Sequence, residues 1–141
     1  MKWVASLHRR GVSLASLIAL DASAVLAVLW GEVGANRVVA ALADCIVSSV
    51  NLAEVHTKLV DCGRDEAIAW ADILTLGLQS VPFDDALARA VGALVRTTRS
   101  DGLSLGDRAC LALAIDRKAT VYTADRAWKS LNLGIKIEVI R

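Results

Sequence analysis

The sequence predicts an α/β domain built on a mainly parallel sheet, and three observations point to it. Apolar runs of strand length alternate with segments of helix length whose apolar residues recur every three or four positions, as strand–helix–strand crossovers require. The chain has 141 residues, 55% of them apolar, with a mean hydropathy of +0.50. That suits one compact domain with a single core and argues against a disordered chain. No internal repeat, low-complexity tract or linker breaks the alternation.

The elements follow in order. An apolar run over residues 14–20 reads as the first strand and ends at Asp21. A helix over residues 24–30 follows, with Ser23 available as its cap. Gly31 and Gly34 punctuate the chain before a helix over residues 35–43, and residues 45–48 (Cys-Ile-Val-Ser) form a short buried strand. From about Val50 a helix carries Leu52, Val55 and Leu59 on one face and stops at Gly63. A longer helix is expected over residues 64–78. Val81-Pro82-Phe83 reads as a turn or short edge, because proline removes a ladder donor. Asp84 or Asp85 caps a helix with Leu87, Ala90, Val91, Leu94 and Val95 inside. Ser100-Asp101-Gly102 makes a loop, and Ser104-Leu105-Gly106-Asp107 opens the next helix. Residues 120–123 form a strand running to Asp125, a short helix surrounds Trp128, and residues 135–140 alternate as a final strand.

The N-terminus carries an ambiguity. Lys2, Arg9 and Arg10 precede an apolar stretch, and Ala22-Ser23-Ala24 resembles a small-residue cleavage site. Asp21, and an apolar run that resumes at once, favour another reading: residues 1–13 are a poorly ordered extension and residues 14–141 a single domain. A membrane span is disfavoured, since no stretch of about 20 residues is free of charge. Cys45, Cys62 and Cys110 are odd in number and lack C-x-x-C spacing, which argues against disulfides or a zinc knuckle and favours a reducing cytoplasm. Net charge is +1, but from Arg96 onward nine basic residues face five acids, a balance that suits a phosphate-bearing ligand as well as a solvated surface.

Four acids lie where strands end or helices begin: Asp21, Glu54, Asp107 and Asp125. Ligands bind at the carboxyl ends of strands in such sheets. Asp21 is the sharpest, because a lone carboxylate between two apolar runs is desolvated as an anion and needs a cation or a specific role. With Ser23 free to cap the following helix, Asp21 has no evident structural duty. The other three each have one. Glu54 pairs with Lys58 at i,i+4, Asp107 completes a capping-box spacing with Ser104, and Asp125 can cap the turn through Trp128. His56 lies two residues from Glu54, on another side of the helix, so the two do not form a metal site. Asp65, Asp72, Asp84, Asp85 and Asp116 read as caps and solvated faces. The four tryptophans read as core or interface bodies. No phosphate loop, dinucleotide fingerprint or serine elbow is present. Asp21-Ala22-Ser23 also lacks the second acid of an aspartate-nucleophile phosphatase.

The motifs Leu20-Asp21-Ala22-Ser23-Ala24, Ser48-Ser49-x-Asn51-Leu52-x-Glu54-Val55, Leu103-Ser104-Leu105-Gly106-Asp107-Arg108-Ala109 and Tyr122-Thr123-Ala124-Asp125 resemble, in order and spacing, those of PIN-domain ribonucleases. The likeness is greatest to the VapC-type toxins of toxin–antitoxin pairs, and it runs from about Ile18 to Arg141. The resemblance implies a three-layer α/β/α sandwich with a central, mainly parallel sheet and a magnesium- or manganese-dependent endoribonuclease. It also implies a cognate antitoxin that blocks the site, and a homodimer. On this pattern Asp21, Glu54, Asp107 and Asp125 form the acidic, metal-holding cluster. Asp21 and Asp107 are expected to contact the metal most directly. Ser23, Asn51 and Thr123 are polar neighbours that order ligands or substrate, and Arg108 and Arg126 are candidate phosphate contacts. The chain departs from the pattern in its N-terminal extension. The alternative is a non-catalytic PIN-like module binding RNA or protein; its mark would be a missing acid, and none is missing.

Overall fold

Residues 16–141 are described by a computed structural model of the chain; the expected extension over residues 1–13, and the start of the domain at residue 14, lie outside them. Five strands form one sheet: β1 (Ile18–Leu20), β2 (Cys45–Ser48), β3 (Gln79–Val81), β4 (Thr120–Thr123) and β5 (Ile137–Val139). Their order is β3-β2-β1-β4-β5 and every pairing is parallel. The α-helices are α1 (Ala22–Leu29), α2 (Ala35–Ala40), α3 (Ser49–Asp61), α4 (Glu66–Thr75), α5 (Asp85–Thr98) and α6 (Leu105–Arg117). Among the described residues none is long and apolar enough to cross a membrane.

Strand alternation sorts the core into two faces. Ile18, Leu20, Cys45 and Val47 point to one side, where they pack with Val25 and Leu26 of α1, Val38 of α2, Val55 and Leu59 of α3 and Ile73 of α4. Leu17, Ala19, Ile46 and Val121 point to the other, against Leu87 of α5, Leu111 and Leu113 of α6, and Trp128. The result is the expected three-layer sandwich. Trp128 is fully enclosed, in a 3-10 turn over Arg126–Ser130, whereas Trp30 and Trp70 stand on the surface.

Three local expectations change. The first helix begins at Ala22 rather than residue 24, because Asp21, not Ser23, is its cap: Asp21 Oδ1 accepts from the Ala24 N–H at 2.9 Å. Helix α4 stops at Thr75, since Gly77 takes φ +63° and the chain then turns into a strand. That strand, β3, starts just past the expected helix and shares only Val81 with the segment expected to be a turn or short edge; it lies at the sheet edge just before Pro82. The segment once readable as a cleavage site follows the central strand directly, so a cut there would remove the strand that pairs with both β2 and β4.

The strand order places the site. The chain winds outward from β1 through β2 to β3, then returns to the other side of β1 for β4 and β5. Connections therefore diverge at the carboxyl ends of β1 and β4, which is where open α/β sheets leave a crevice.

Candidate active site

Asp21 follows β1 directly and is 5% exposed. Both its oxygens are engaged. Oδ1 accepts from Ser23 Oγ at 2.7 Å and from the Ala24 N–H, and Oδ2 accepts from Thr123 Oγ1 at 2.7 Å. Burial pushes its carboxyl up from 3.8 to about 6; these hydrogen bonds oppose the shift, and the negative charge of Asp107 adds to it. The side chain is held in one orientation while its anion stays poorly compensated. A cation would relieve that imbalance.

Two hydroxyls tie β1 to β4. Thr123, at the end of β4, donates to Asp21 and accepts from the Asp125 N–H at 3.0 Å. Ser23 donates to Asp21 and accepts from the Ala124 N–H at 2.9 Å. Asp125 is thereby fixed one step from Asp21 through its backbone, while its own carboxylate caps the turn leading to Trp128 by accepting from the Ala127 N–H. An open cleft of roughly 540 Å³ beside it is lined by Ser23, Ala124, Asp125, Arg126 and Arg141.

The other wall comes from the N-terminal half of α3 and the first turn of α6. Buried Asn51 donates through Nδ2 both to Glu54 Oε1 at 2.8 Å and to the Gly106 carbonyl at 3.0 Å, so one amide fastens the two helices together. Its Oδ1 is buried without a partner. Asp107 stands at the third position of α6 in a complete capping box: it accepts from the Ser104 N–H at 3.0 Å and its own N–H donates to Ser104 Oγ at 3.1 Å. Beneath these acids Cys110 is fully buried. Burial first, then the charges of Asp21, Asp107 and Glu54, push its thiol well above the ordinary range. Asn51, by joining Glu54 of α3 to the residue before Asp107 in α6, brings these two acids to the same side of the sheet's crevice.

The donor set is all hard oxygen, which fits magnesium or manganese rather than zinc or copper. The acids do not close around a point, however. Among the described residues no three aspartate, glutamate, histidine or cysteine side chains stand close enough together to share an ion. Magnesium keeps several of its waters and needs only one or two carboxylates, so an open set remains compatible with it.

The basic residues divide. Arg126 is exposed at the cleft beside Asp125. Arg108 turns the other way: its Nη1 donates to the Val91 carbonyl of α5 at 3.1 Å, so its guanidinium joins α5 to α6 rather than facing the acids. Arg141 was not anticipated. Its Nε donates to the Ala124 carbonyl at 3.2 Å, which sets it in the cleft lining next to Arg126. Gly106 belongs to the motif around Asp107, and it adjoins both Asn51 and the Glu54 carboxylate. A helical glycine adjoining a candidate acid is the signal that could have found it.

The sequence profile of the PIN domain matches residues 18–132. No curated protein sequence matches the chain significantly. Among solved structures, VapBC from Salmonella typhimurium, bound to DNA, is similar with a TM-score of 0.69 at 18% identity, covering 87% of this chain and 97% of that one. VapBC2 from Rickettsia felis, bound to a DNA fragment from its promoter, gives 0.65 at 19% identity, covering 86% and 97%. VapC20 from Mycobacterium tuberculosis, a toxin that cleaves the sarcin–ricin loop, gives 0.64 at 16% identity, covering 84% and 98%. At these identities the likeness is one of fold.

Proposed function

The chain belongs to the PIN-domain family, and from that premise we propose that it is a magnesium- or manganese-dependent endoribonuclease acting as the toxin of a toxin–antitoxin pair. The observation that carries the reading is Asp21: a buried, fully oriented carboxylate at the switch point of the sheet, in the electrostatic field of a second acid. Neighbours of the same fold include an RNA-loop-cleaving toxin and two VapBC assemblies, which supports RNA as substrate and an antitoxin as partner.

In this mechanism Asp21 and Asp107 would hold the ion, and Glu54 and Asp125 would complete its shell by accepting hydrogen bonds from its waters. The ion, when bound, supplies charge neutralisation at the phosphodiester and acidifies the attacking water. The chain's own contribution is orientation. Ser23 and Thr123 fix both Asp21 oxygens, Asn51 fixes Glu54, and the Ser104 N–H fixes the Asp107 carboxylate. Arg126, in the cleft lining, would donate to a phosphate there. Homodimerisation and a cytoplasmic setting belong to the same reading.

The test is cleavage of single-stranded and structured RNA by the purified chain, with magnesium, manganese or chelator. Metal-dependent cutting that Asp21→Asn abolishes in a folded protein is the expected result. Cutting by Asp21→Asn at close to the wild-type rate would overturn the assignment, and a folded wild type that never cuts would favour the non-catalytic module. In cells, expression of the chain alone should arrest growth, with relief by the product of the adjacent gene; harmless expression would remove the toxin role.

A further inference from the structure

We infer that Gly106 is a positioning residue: the Glu54 carboxylate occupies the space that a side chain at position 106 would fill. An ideal Cβ there would lie 2.6 Å from Glu54 Oε2 and closer still to Oε1 and the carboxyl carbon. The acid therefore lies directly over the α-carbon of Gly106, one residue before Asp107, and Asn51 holds it there while also gripping the Gly106 carbonyl.

The backbone gives no other reason for this glycine. Six described glycines have positive φ, where L side chains are strained, and Gly106 is not among them. It sits within α6, where alanine is the better helix former. Gly92 makes the contrast: it too is helical, in α5, and nothing lies within 4 Å of a Cβ built on it. At position 106 the missing side chain is a requirement of the site rather than of the helix. It lets the second turn of α3 close on the first turn of α6 to carboxylate contact, and it places the Glu54 charge at the N-terminal end of α6, where the backbone dipole favours an anion.

This inference rests on the nuclease reading, since it treats Glu54 as a working acid of that site. A Cβ at position 106 would push aside the end of a flexible side chain, so the fold should survive while the acid is displaced. Four variants of the full chain test it: Gly106→Ala, Glu54→Ala, the double variant, and Gly92→Ala as control. RNA cleavage with manganese and melting temperature are measured for each. Gly106→Ala should cut on the order of 10- to 100-fold more slowly, the range typical of lost ligand support, and should add no further loss in the Glu54→Ala background. Its melting temperature should combine with that of Glu54→Ala non-additively, the double variant melting above the sum of the two single shifts, because removing Glu54 removes the clash. Gly92→Ala should cut like wild type. Wild-type cleavage by Gly106→Ala, or two losses that simply multiply with additive melting shifts, would overturn the positioning role. A wild type inert on RNA that still shows the melting non-additivity would overturn the nuclease reading and leave the steric coupling standing.

Discussion

The two walls of the crevice hold their acids by opposite means. On the strand wall, Asp21 is buried, bonded at both oxygens, and raised to a carboxyl value of about 6. On the helix wall, Glu54 and Asp107 are only half-buried, and their placement depends on an amide clamp, a missing side chain and a capping box. The strand wall orients charge by desolvating it, which stores an electrostatic penalty that a cation can release. The helix wall orients charge by fitting shapes together at modest desolvation. The first should therefore fail through charge and the second through geometry.

The largest expected effect is on the strand wall. Asp21→Asn should lower RNA cleavage by roughly a thousandfold, the scale of losing a central electrostatic group. Its melting temperature at pH 7.5 without metal should be no lower than wild type, since asparagine can still cap α1 and carries no buried charge. A melting temperature well below wild type would break the contrast by showing that the anion itself stabilises the fold. On the helix wall, Asn51→Ala should slow cleavage by about 10- to 100-fold, the usual effect of removing a ligand's support. A loss as deep as that of Asp21→Asn would place both walls in one class.

Proton linkage separates the walls further. Asp21 rises from 3.8 to about 6 on folding, so the folded protein binds this proton more tightly than the unfolded chain. The stability it contributes is complete below pH 3.8 and is lost as pH rises through 6. The metal-free protein should lose about 3 kcal/mol from this group across that window. Glu138 is lowered by Lys136 and works in the opposite direction, so the clean measurement is the difference in unfolding free energy between wild type and Asp21→Asn against pH. A flat difference would contradict the buried-anion account. The smallest effect is Ser104→Ala, which removes the hydroxyl that caps α6 and should cost about 1 kcal/mol, read by denaturant unfolding. It should slow cleavage only mildly, because Asp107 keeps its bond from the Ser104 N–H.

Much of this was legible in the sequence, for reasons that differ by element. Cys45–Ser48 is buried throughout and mostly apolar, and Thr120–Thr123 is a run of β-branched and aromatic residues, so their bounds could be read directly. Of the edge strand Gln79–Val81 only Val81 was legible, within a turn or short edge, because its residues follow no apolar alternation and its pairing with β2 is a tertiary contact. The acids were found, but their structural duties were set against their site role as alternatives. Asp21, Asp107 and Asp125 all cap the first turn of a helix, and Asp21 does so as the most buried of the four acids. A cap fixes a carboxylate, and a fixed carboxylate is what a metal site needs. Arg108 shows the limit of adjacency: next to Asp107 in sequence, it is carried by the helical turn toward Val91. Gly106 escaped notice because a position defined by empty space has no chemical signature of its own.

The claim that both walls serve one ion-dependent centre is tested most directly by manganese titration calorimetry on wild type, Asp21→Asn and Asp107→Asn, with proton release followed in parallel at pH 6. The account predicts that wild type binds manganese and releases protons as Asp21 becomes anionic, and that either substitution, from either wall, removes the binding. Undiminished manganese affinity in both variants would contradict it.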